Sequence, residues 1–159
     1  MVSAYQKGIR NYDVDKAYEA VKKTLTTQGT ALSSGGIVGN RHLDVYLKYG
    51  FVPYGEKSHH NVFGTTYEGP TSNTLEYAFD DWNAAQFAKA LGYEEDYDYF
   101  TRRAYNYKNV FDSETKYVRP KYSAGTWMPD FEPINKDEHS TSWSWLGSGF
   151  VEGNSWQYT

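Results

Sequence analysis

The chain has 159 residues, 39% of them hydrophobic and 23% charged, with a net charge of -4 and no cysteine. That length supports one domain with a real core rather than two, and the absence of cysteine excludes disulfides, thiolate metal sites and a cysteine nucleophile. Acidic and basic residues are interspersed, with no Lys or Arg run long enough to track phosphates, which argues against a nucleic-acid partner. No apolar segment reaches the length of a bilayer crossing, and no charged start followed by an apolar run and a small-residue cleavage site opens the chain. Aromatic residues make up 18%, including 16 Tyr and 5 Trp. Tyrosine at that density suits half-wet, half-apolar surfaces such as sugar sites, and it suits an aromatic-rich helical core equally well.

Residues 13–28 read as the first helix: Val14, Ala17, Tyr18, Val21 and Leu25 recur on one face, Asp13 is the N-cap, and Gly29 closes it. Residues 30–40 turn to Ser and Gly and read as a linker or surface loop. A short helix over 42–49 follows, ending at Gly50, with Leu43, Tyr46 and Leu47 inward, and 51–55 leaves it extended. In the segment 56–71, His59 and His60 are adjacent with no third ligand at metal spacing, so they read as exposed loop histidines.

The strongest pattern covers 73–91. Asn73 with Glu76 three residues on makes a capping box, and Gly92 is the stop. Leu75, Ala78, Phe79, Trp82, Ala85, Phe87, Ala88 and Leu91 leave little polar surface, which predicts a helix buried on most sides. Asp80 and Asp81 within it must either reach the mouth of a cavity or find donors. Residues 94–111 form the partner helix, with Tyr97, Phe100, Ala104, Tyr107 and Phe111 on one face and Glu94, Glu95, Asp96, Arg102, Arg103 and Lys108 on the other. The very short Gly92–Tyr93 connection makes the two an antiparallel helical hairpin, the unit of α/α bundles and toroids. Residues 112–115 read as a turn and 116–133 as short extended pieces. Trp143 and Trp145 lie two apart in a polar stretch, which puts both indoles on one side of an extended segment, as a sugar platform or a loop anchor.

The last ten residues carry a possible site. Glu152 sits beside Phe150 and Val151 and is followed by Asn154, Trp156, Gln157 and Tyr158. A carboxyl held against aromatic surface keeps its proton near neutral pH and can donate it to a leaving group. The indole and phenol offer flat faces to a sugar ring, and the amides offer paired donors and acceptors to its hydroxyls. The same residues also read as a turn at Gly153–Asn154 with Ser155 capping a helix.

The stretch Thr74-Leu75-Glu76-Tyr77-Ala78-Phe79-Asp80-Asp81-Trp82, its continuation through Gly92, Asn106 to Asp112, and Glu152-Gly153-Asn154-Ser155-Trp156-Gln157-Tyr158 together resemble glycosyl hydrolase family 92, the calcium-dependent exo-acting α-mannosidases. The chain departs from that pattern at Asn83, where cysteine is common, and in longer loops at 33–41 and 59–68. The resemblance implies a mainly α chain, one piece of a larger (α/α)6 barrel catalytic domain built from helical hairpins. It puts Glu152 at the general acid and implies inverting hydrolysis of terminal α-1,2-linked mannose, with a separate base, in a later motif beyond Thr159, about 6.5 to 9.5 Å from the acid. Trp156, Gln157, Asn154, Asp80, Asp81, Trp143 and Trp145 are candidates for substrate contact. Calcium, a mannose-containing glycan and a location in the periplasm or outside the cell follow from the resemblance as expectations, with no calcium ligand assignable. Two other readings stay open: a non-catalytic carbohydrate-binding or scaffold module, and another α/α-barrel glycosidase or lyase using Glu76, Asp80 or Asp81. A partial barrel would leave apolar helix sides open, so the chain is expected to associate or to be marginally stable.

Overall fold

The computed structural model describes residues 1–33, 37–55 and 69–133. A single turn, α1 (Val2–Gln6), opens the chain and sends Val2 into the core. The next helix, α2 (Val14–Thr26), starts where Asp13 predicts, its carboxylate accepting a hydrogen bond from the Lys16 backbone N–H at 3.0 Å. It ends at an extended Thr27, short of the expected Gly29. The Gly29 N–H donates instead to the Asn40 carbonyl at 3.1 Å. That bond ties off a minimal antiparallel pair within the expected linker, β1 (Thr30–Ala31) against β2 (Ile37–Val38), with Thr30 opposite Val38. Gly39 is required there: its φ is +91°, and a Cβ would stand 3.1 Å from Gly29 Cα.

Helix α3 (Leu43–Tyr49) ends at Gly50 as the sequence predicts. Leu43 and Tyr46 are inward, but Leu47 is 45% exposed and Val45 is buried in its place. Positions 42, 43, 45 and 46 are buried and Tyr49 is half-buried on one side of the helix, and position 47 lies off it. Phe51 and Val52 follow outside any helix or strand and are buried.

Helix α4 (Pro70–Leu91) begins a turn earlier than the expected capping box. Pro70 at the first helical positions has the φ a helix needs, and the Asn73 N–H donates to the Gly69 carbonyl at 2.9 Å, so Asn73 is inside the helix rather than capping it. Buried Ser72 and Thr74 satisfy local acceptors, donating to the carbonyls of Gly69 and Pro70 at 2.9 Å each. Gly92 closes α4 in the left-handed conformation at φ +82°. After Tyr93 the chain folds back as α5 (Glu94–Ala104), then tightens into a 3-10 helix (Tyr105–Val110) rather than continuing to 111. A short antiparallel pair, β3 (Phe111–Asp112) and β4 (Tyr117–Val118), encloses the expected turn.

Helix α4 is the axle of the core. Tyr77 packs with Leu43, Tyr46 and Val52. Phe87 and Ala88 meet Val2, Ala17 and Tyr18. Ala84 and Ala85 meet Leu25 and Phe100. Four alanines on α4 (78, 84, 85 and 88) are at most 3% exposed, and their small side chains let α2, α3 and α5 approach closely. Two expectations fail on the remaining side: Phe79 is 60% and Trp82 49% exposed, while Arg103, expected on the polar face of α5, is buried.

Candidate functional site

The neighbouring aspartates of α4 part company. Successive helical positions are about 100° apart, so one side chain can enter the core while the next faces out. Asp81 is fully buried and Asp80 lies at the surface. Arg103 reaches Asp81 from α5: Nε donates to Oδ2 at 3.1 Å, and Nη2 stands 2.9 Å from Oδ1, close as an ion pair though not aligned as a hydrogen bond. From α3 the Tyr46 hydroxyl donates to Asp81 Oδ2 at 2.9 Å. Arg103 Nη1 donates to the Leu25 carbonyl at 2.9 Å and to the Tyr99 hydroxyl at 3.0 Å. One ion pair thus joins α2, α3, α4 and α5.

Burial pushes the Asp81 carboxyl up to about 7, against the downward pull of Arg103 and Tyr46. Burial, then the neighbouring Asp81 charge, raises the Tyr46 phenol. With no exposed atom, Asp81 is enclosed in the core. The junction holds the helices; it does not offer an acid to solvent.

Asp80 borders a cavity of about 370 Å³ whose wall includes Val2, Ser3, Val21, Thr24 and Asn83. Burial and then the Glu76 charge raise its carboxyl above the usual range. On the other open side of α4 a groove of about 550 Å³ is lined by Leu75, Phe79, Trp82 and Gln86, with Thr101 and Tyr105 across from them. The Phe79 and Trp82 ring planes are nearly parallel, with centroids 6.3 Å apart and 15° between planes.

Among the described residues no three His, Cys, Asp or Glu side chains gather as a metal ion would require. Among the described residues no helix is long and apolar enough to cross a membrane. Glu152, Asn154, Trp156, Gln157, Trp143, Trp145, His59 and His60 lie outside the described residues. Of the expected substrate contacts, then, the structure places Asp80 and Asp81, and sends them to opposite environments. The polar partners that the sequence reading missed are Arg103 and Tyr46. The signal for Arg103 was its spacing, since 100, 103 and 107 share one helical stripe with two aromatics.

The sequence model described as the glycosyl hydrolase family 92 catalytic domain matches residues 1–159. A fungal protein described as an uncharacterized secreted glycosidase, from Arthroderma benhamiae, is 29% identical over 140 residues, 80% of this chain and 17% of its own length. Among solved structures, the family GH92 inverting mannosidase BT2199 from Bacteroides thetaiotaomicron superposes with a TM-score of 0.76 at 32% identity, over 98% of this chain and 18% of that one. The α-mannosidase BT3965 of the same organism and family gives 0.74 at 32% identity, over 99% of this chain and 17% of that one. Its complex with mannoimidazole gives 0.67 at 34%, over 84% and 15%. The chain thus spans less than one-fifth of the length of these relatives.

Proposed function

The chain belongs to glycosyl hydrolase family 92, matched along all 159 residues, and from that premise we propose that it forms part of an exo-acting, inverting α-mannosidase whose general acid is Glu152. The observation that carries this reading is the likeness to an inverting mannosidase, 32% identical over 98% of the chain. The substrate is a terminal mannose, α-1,2-linked, on a glycan; a relative bound to mannoimidazole supports a mannose-shaped site. The fungal relative's description as secreted supports action on glycans outside the cytoplasm.

In this reading Glu152 holds a proton and gives it to the glycosidic oxygen as the bond breaks, and a second carboxylate, outside these 159 residues, activates water on the opposite face of the ring. Trp156 supplies an apolar face to the sugar, while Asn154 and Gln157 bind its hydroxyls. Trp143 and Trp145 extend the same surface. The α4–α5 hairpin, locked by Asp81 and Arg103, is a rigid support, and in the whole enzyme it is one hairpin of an (α/α)6 barrel. Calcium, when bound, supplies positive charge to sugar hydroxyls; it rests on family membership alone, and no step is routed through it.

The test is mannose release from α-1,2-linked mannobiose, with calcium and with chelator, for the chain and its Glu152→Gln variant, with the product anomer read by NMR. Release of the inverted anomer that requires Glu152 and calcium supports the mannosidase reading and overturns its placement of the base, which would then lie within these residues. Equal release by both variants, or a retained anomer, refutes it. No release by the chain places the base beyond these residues, and the comparison then moves to a polypeptide extended past Thr159.

A further inference from the structure

We draw no further inference here: the strongest candidate, the groove on the open side of α4 and α5 where Phe79, Trp82, Tyr105 and Tyr107 stay exposed, carries nothing because the chain spans less than one-fifth of the length of its relatives and nothing in the structure shows what covers that face.

Discussion

Asp81 Oδ1 and Arg103 Nη2 stand 2.9 Å apart, with side chains 0% and 10% exposed, at the point where four helices meet. A buried ion pair adds little net stability when formed, but removing one partner strands a charge in low dielectric. Arg103→Ala is therefore expected to cost about 3 to 5 kcal/mol. Asp81→Leu combined with Arg103→Met should cost less than Arg103→Ala alone, because no unpaired charge remains. Urea titrations of the three proteins give the ordering, and a double variant less stable than Arg103→Ala would contradict this account.

Two buried groups oppose one another between pH 4 and 7. Burial, with the Arg41 charge, lowers His42 from 6.5 to about 4, so its stabilising contribution is complete above pH 6.5 and is lost as pH falls towards 4. Asp81 is raised from 3.8 to about 7, so its contribution is present below pH 3.8 and is lost as pH rises through 7. Stability of the parent chain should vary weakly with pH in this window. Asp81→Asn should make it fall clearly with acid, and His42→Gln should make it fall clearly with base. Thermal unfolding from pH 4 to 7 reads both slopes, and parallel curves for the two variants would rule this pairing out.

Thr74 joins the start of α4 to the strand-like segment before it. Its hydroxyl oxygen accepts from the Val52 N–H at 2.9 Å while donating to the Pro70 carbonyl at 2.9 Å, all within the core. Thr74→Val keeps the shape and orphans the Val52 N–H, which is expected to cost about 1 to 3 kcal/mol. Thr74→Ser keeps both bonds and should cost less. Chemical denaturation separates them, and the hydroxyl has no such role if the two substitutions cost the same.

Gly50 and Gly92 both adopt left-handed backbone at helix ends, with φ of +73° and +82°. A Cβ on Gly50 would lie 2.8 Å from Asn109 Nδ2, which itself donates to the Gly50 carbonyl at 2.9 Å; a Cβ on Gly92 meets nothing within 4 Å. Gly92→Ala should thus cost about 1 kcal/mol of backbone strain, and Gly50→Ala more, because the Asn109 contact must also shift. Melting temperatures of the two variants test the ranking, and equal losses would show that Asn109 yields freely.

What could be read along the chain was what neighbouring residues settle among themselves. The Asp13 cap, the Gly50 and Gly92 stops and the short Gly92–Tyr93 connection depend on contacts within a turn or two, and each lies where the spacing put it. The order of the family's motifs was equally legible, and with it Glu152 as the acid to test. The spacing also showed which positions share a stripe, but a stripe carries no mark of what it faces. Phe79 and Trp82 match the apolar pattern and stay exposed because no described helix lies over them. Arg103 breaks the pattern yet is buried because Asp81, 22 positions earlier on the facing helix, neutralises it. Such a pairing exists only after the hairpin has closed, when desolvation makes each charge depend on the other, and no local feature of either segment encodes it.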